Sequence, residues 1–108
     1  ERSALEVKVD SRVQRRLSPV VESAAYFVVA ESLTNAAKYA RGASAKVSLF
    51  EESGRLVVEV DDNGPGGANP AGSGLSGLKS RVEALDGILV VVSNPGEGTT
   101  VHAELPCE

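Results

Sequence analysis

Only one cysteine, Cys107, and one histidine, His102, occur in 108 residues. A lone cysteine excludes an internal disulfide and suits a reducing, cytoplasmic setting. A lone histidine excludes a His-rich zinc site. No run approaches the ~20 apolar residues that span a bilayer, and no basic start leads into an apolar signal core. Basic clusters are missing as well. The chain carries 11 Lys+Arg against 15 Asp+Glu, a formal net charge of -4, which argues against a general nucleic-acid binder. What remains is 42% hydrophobic and 24% charged, the mix of a globular domain. The length suits one domain over 1–108.

Alternation of apolar and polar residues over 5–10 predicts a half-buried first strand. A polar stretch with Arg12, Arg15 and Arg16 follows, read as a loop or a short helical turn. Ser18-Pro19 then opens a helix as N-cap and first helical residue. Val20, Ala24, Phe27, Val28 and Leu33 supply its apolar face, and it extends to about Ala40, with Gly42 as terminator. Strands over 46–51 and 55–61 flank a hairpin connection at Glu51-Glu52-Ser53-Gly54. A second helix over 74–85 has a buried stripe at Leu75, Leu78, Val82 and Leu85. The apolar run 88–92 reads as an interior strand, Asn94-Pro95-Gly96-Glu97-Gly98 as a turn, and 99–105 as the closing strand. Strands and helices do not alternate regularly. The expected fold is an α+β two-layer sandwich, a mixed five-stranded sheet with the helices packed on one face. The other face, with Glu6, Lys8, Lys46, Glu59 and His102, is expected to be wet.

Three places invite chemistry. Glu31, Asn35 and Lys38 share a helical stripe at i, i+4 and i+7. That stripe reads either as a solvated face or as a magnesium–phosphate site. Magnesium keeps several waters, so one amide oxygen and substrate phosphates suffice for it. Asp62 continues the parity of Val58 and Val60 and so points toward the core, where an unpaired carboxylate is costly. It needs a partner, and an acceptor-only group matches an exocyclic amine such as that of adenine. Asp62-Asn63-Gly64-Pro65-Gly66 also reads simply as a tight turn. The stretch 64–77 holds six of the 11 glycines, and Gly72-Ser73-Gly74-Leu75 opens a helix whose free N–H groups suit an anion. It is neither a Walker loop nor a Rossmann fingerprint. Thr99 and Thr100 face opposite ways. His102 reads as a solvated surface residue, and Cys107 as a tail residue without a role.

In this order the blocks resemble the catalytic and ATP-binding domain of two-component sensor histidine kinases. That domain has the Bergerat-type ATP-binding fold shared with type II topoisomerases, mismatch-repair ATPases and heat-shock chaperone ATPases. The run from Glu31 through Asn35 to Lys38-Tyr39-Ala40 is similar to its N box. Asp62 to Gly66 is similar to the first glycine box and Gly72-Ser73-Gly74-Leu75-Ser76-Gly77-Leu78 to the second. Gly96-Glu97-Gly98-Thr99-Thr100-Val101 is similar to the closing motif. The short spacing of the glycine boxes, the lack of a Phe-bearing box and Arg81-Val82-Glu83-Ala84-Leu85 resemble the nitrate-sensor-like class with a short ATP lid.

The resemblance implies that Asn35 coordinates Mg2+ and that Glu31 is the catalytic carboxylate. Lys38 would contact phosphate, and Asp62 would accept from the adenine amine with Thr99 in support through an ordered water. Gly64, Gly66, Gly72, Gly74 and Leu75 would belong to the ATP-binding pocket and lid. Tyr39 stands where the family often has histidine, and its phenol donates to phosphate without carrying positive charge. The implied activity is autophosphorylation of a histidine on a dimerisation hairpin upstream of this domain, followed by transfer to a response regulator. His102, on a strand, does not suit the acceptor. The expectation is an ATP-binding piece of a larger, homodimeric sensor kinase, monomeric and slow by itself. An anti-sigma-factor serine kinase of the same fold is the alternative, and a regulatory nucleotide-binding module is a third reading.

Overall fold

The computed structural model describes residues 6–39, 44–64 and 73–107. Its elements are β1 (Glu6–Ser11), α1 (Pro19–Tyr39), β2 (Ser44–Glu52), β3 (Arg55–Asp62), α2 (Ser73–Glu83), β4 (Ile88–Val92) and β5 (Thr99–Pro106). The sheet has five strands in the order β1-β2-β3-β5-β4. β1 and β2 are parallel and the other pairs antiparallel. Both helices pack on one face, α1 over β2, β3 and β5, and α2 over β4 and β5. This is the expected α+β sandwich.

Local chemistry sets the start of α1. The Val21 N–H donates to Ser18 Oγ at 3.3 Å, and the Glu22 carboxylate accepts from the Leu17 N–H at 2.9 Å and from Arg16. The first contact satisfies a donor that a helix start leaves open, and the others pin the chain that leads into it. Val20 is not part of the buried face as expected but 58% exposed, and Leu33 is only half-buried. The stripe that meets the sheet is Val21, Ala25, Val28, Ser32 and Ala36, at 4-3-4-4 spacing, flanked by Ala24. Small residues let the helix lie close to Val58, Val101 and Ala103. α2 ends at Glu83, two residues short of the expected limit: Asp86 takes a φ of 62°, and the Gly87 N–H closes onto the Val82 carbonyl at 3.0 Å. A Cβ on Gly87 would lie 2.6 Å from the Glu104 carbonyl, so glycine is required there.

Two strand expectations are corrected. β1 is exposed along its length, with Val9 at 65%, because it is an edge strand with no helix over it among the described residues. Leu5 lies outside the described residues. The run 88–92 is an edge strand and not an interior one, because β5 enters between β3 and β4. Leu89 faces the core while Ile88, Val90 and Val92 are about half exposed. The wet face behaves as expected but is more ordered: His102 bonds Glu59 through Nδ1 at 2.8 Å and Glu104 through Nε2 at 2.9 Å. Cys107 is buried, not a loose tail, and its N–H donates to the Gly54 carbonyl at 3.0 Å.

Topology fixes where a site can form. Because β1 and β2 are parallel neighbours joined through α1, α1 must run back across the sheet. Its C-terminal half therefore lies at the end where β2 starts, β3 finishes at Asp62 and β5 begins at Thr99.

Candidate ATP site

Glu31 and Asn35 stand one turn apart on the flank of α1 that faces α2. The helices run antiparallel, since Gly74 of α2 meets Glu31 and Asn35 while Arg81, two turns on, covers Phe27. The Arg81 guanidinium carbon is 4.1 Å from the Phe27 ring centroid, a cation–π contact that ties the pair together one turn below Glu31. At the other end a Cβ on Gly74 would lie 2.7 Å from Glu31 Oε2, 3.6 Å from its Cδ and 3.9 Å from Asn35 Nδ2. A side chain at 74 would thus displace the Glu31 carboxylate, while Asn35 would remain at ordinary contact distance. A helix N-terminus carries open N–H donors and partial positive charge. Here it meets a carboxylate and an amide on a half-buried surface.

Asp62 closes β3 on the core-facing side, opposite Ala45 on β2 and Thr99 on β5. Its Oδ1 accepts from the Gly64 N–H at 2.9 Å. Among the described residues no cation pairs with it. Among the described residues Oδ2 has no partner either. The Thr99 hydroxyl lies 2.6 Å from Ser93 Oγ and is engaged with it. Leu75 is buried, 6% exposed.

Two residues of these motifs hold Asp62 in place, although sequence reasoning gave them no role. Asn63 accepts from the Ser44 N–H through Oδ1 at 2.8 Å and returns its own N–H to the Ser44 carbonyl at 3.2 Å. Gly98 has a φ of 76°, and a Cβ there would fall on the Asp62 carbonyl. The glycine signal at 98 was visible; its target, 36 residues earlier in the chain, was not. The structure thus brings together Glu31, Asn35 and Gly74, and sets Asp62, Gly64 and Thr99 at the same end of the sheet. The side chains of Lys38 and Tyr39, and Gly66 and Gly72, lie outside the described residues.

The match to known proteins covers residues 20–108, through the family described as histidine kinase-, DNA gyrase B- and HSP90-like ATPase. The chain belongs to this ATPase family. Among relatives of this ATPase domain, the oxygen sensor histidine kinase NreB of Staphylococcus carnosus is 36% identical over 97 residues, taking in 85% of this chain and 28% of that protein. The signal transduction histidine-protein kinase/phosphatase DegS of Brevibacillus brevis is 37% identical over 90 residues, or 80% of this chain and 23% of that one. The chain thus spans about a quarter of the length of these relatives. In structure, the histidine kinase domain of the Erythrobacter litoralis EL346 blue-light activated histidine kinase superposes with a TM-score of 0.81 at 25% identity, over 97% of this chain and 52% of that one. The resemblance carried by the four sequence boxes therefore holds for the catalytic, ATP-binding domain of sensor histidine kinases. No helix among the described residues is long and apolar enough to cross a membrane.

Proposed function

We propose that this ATPase domain binds ATP with magnesium and presents the γ-phosphate to a histidine on a dimerisation hairpin of its parent kinase, for onward transfer to a response regulator. The observation that carries this reading is the fit of the α2 N-terminus against Glu31 and Asn35, at the sheet end that also bears Asp62. Phosphoryl transfer asks a protein mainly for positioning and charge stabilisation, and this end of the fold would supply both. Asp62 Oδ2 would accept from the adenine amine. Open N–H groups at the start of α2 would face phosphate oxygens. Glu31 would take the imidazole proton as a nitrogen–phosphorus bond forms and the β–γ bridging oxygen departs with ADP. Lys38 and Tyr39 would contact the phosphates.

The donor set supports magnesium. Among the described residues no group of three His, Cys, Asp or Glu could hold a metal alone, but magnesium bound through substrate phosphates needs only one or two protein oxygens. The Asn35 amide oxygen would be that ligand. When bound, the ion neutralises charge on the phosphate oxygens. The sensor kinases named above favour this reading over the anti-sigma-factor serine kinase.

Asp62→Asn tests the reading. Asparagine keeps an oxygen for the Gly64 N–H, so the fold stands, but it turns an amine toward the amine of the base. Loss of a charged hydrogen bond, worth about 1.5–3 kcal/mol, predicts ADP binding weaker by about 10- to 150-fold in calorimetry. Equal affinities would remove Asp62 from the adenine site.

A further inference from the structure

Ser32 is a polar residue of the buried core, 4% exposed, and its Oγ has no hydrogen-bond partner among the described residues. A helical hydroxyl has a local remedy, to donate to the carbonyl four residues back. Thr34 does this to the Ala30 carbonyl at 2.8 Å, whereas Ser32 does not. Leaving a buried hydroxyl unpaired is costly. Alanine, already present on the same stripe at Ala25 and Ala36, is also the better helix former. The fold itself therefore makes no use of this oxygen.

Its position shows what could use it. At 3.6 residues per turn, Ser32 lies about 60° round α1 from Asn35 and about 100° from Glu31, turned toward the sheet. At that end the sheet presents the buried pair Val60 and Val101, followed one step further on the same face by Asp62 and Thr99. The hydroxyl is thus buried on the sheet-facing side of α1, beside the stripe on which Glu31 and Asn35 meet Gly74. The Thr99 hydroxyl at this end is engaged with Ser93.

We propose that Ser32 is a specificity-determining residue of the nucleotide site, its hydroxyl donating directly or through one water to adenine N1 beside the amine held by Asp62. The inference rests on the ATP-binding reading above. An acceptor-only carboxylate next to a hydroxyl donor reads the amine-and-N1 edge of adenine. Guanine and hypoxanthine carry a carbonyl and an N–H at the same two positions.

The test titrates ADP and 1-deaza-ADP, which has carbon in place of N1, in magnesium buffer into the wild-type chain and Ser32→Ala. Thermal melts without nucleotide run alongside. Ser32→Ala should melt at or above the wild type and bind ADP about threefold to tenfold more weakly, the worth of one neutral hydrogen bond. With 1-deaza-ADP the two chains should bind alike, because the partner atom is gone. Ser32→Cys, with similar volume and only a weak donor, should repeat the loss and serves if the alanine variant fails to fold. Equal ADP affinity in wild type and variants overturns the inference and leaves the ATP reading standing, as does an equal loss for both ligands. A wild-type chain that binds no ADP overturns the ATP reading, and this inference with it.

Discussion

Gly74→Ala separates folding from function at the point where α2 meets α1. Alanine is favoured over glycine by about 1 kcal/mol in a helix interior and by less in a first turn such as this. Against this, the new Cβ would lie 2.7 Å from Glu31 Oε2, about 0.7 Å inside ordinary contact. The obstructing atom is the end of a side chain and not backbone, so Glu31 is able to move. An off-rotamer shift of that kind costs about 0.5–1.5 kcal/mol. The two effects nearly cancel, and the melting temperature should stay within about 5 °C of wild type. Catalysis has no such compensation. A reacting group moved by about 1 Å costs on the order of 100-fold. With the domain joined to a phosphoacceptor hairpin, phosphohistidine formation from labelled ATP should fall by about that factor, while ADP affinity, read by calorimetry, changes little. In a Glu31→Ala background the same substitution should cost nothing further, because its steric target is gone. Wild-type phosphorylation by Gly74→Ala, or an equal loss in the Glu31→Ala background, would refute the claim that glycine at 74 exists to seat Glu31.

Gly98→Ala should be destabilising outright. It combines a positive φ, which costs an L-residue about 1–2 kcal/mol, with a Cβ on the Asp62 carbonyl, so urea unfolding should show a loss of at least about 2 kcal/mol and ADP binding should weaken. A loss under about 0.5 kcal/mol would contradict the packing of the closing motif on Asp62. His102 makes a pH prediction. Its hydrogen bond to Glu104, with further support from Glu59 and against partial burial, raises its pKa above the ordinary value of 6.5. Raised in the folded state, it contributes stability that is fully present below about pH 6.5 and lost as pH climbs through the higher folded value. Urea melts between pH 6 and 9 should show this decline, and His102→Gln should flatten it; an unchanged slope in the variant would assign the decline elsewhere.

Much of the site was legible because its parts are local. Glu31 and Asn35 fall on one stripe by helical period alone, and the inward parity of Asp62 follows from counting by twos past Val58 and Val60. Glycines before a helix and after a strand announce backbone constraints, although not what imposes them. The misread elements were those whose environment depends on distant neighbours. An apolar run such as 88–92 has the same composition at the centre of a sheet or at its edge, and only the entry of β5 between β3 and β4 decides which. Val7 and Val9 alternate like a half-buried strand, yet among the described residues no helix crosses them. Cys107 looked like the end of a tail until Gly54, more than fifty residues earlier, took its N–H.

Sequence by itself determined the fold class and the candidate residues for the chemistry, since helical and strand periodicities and turn residues are set by bonds between near neighbours. Tertiary structure alone decided which glycines were unavoidable and which polar atoms were spare. Gly87 is glycine because the Glu104 carbonyl sits against it, and Gly98 because the Asp62 carbonyl does. Ser32 is left with an unused hydroxyl because no partner among the described residues comes within reach of it. Such facts arise where segments far apart in the chain come within a few ångströms, and no pattern along one segment encodes the shape of the surface it will meet.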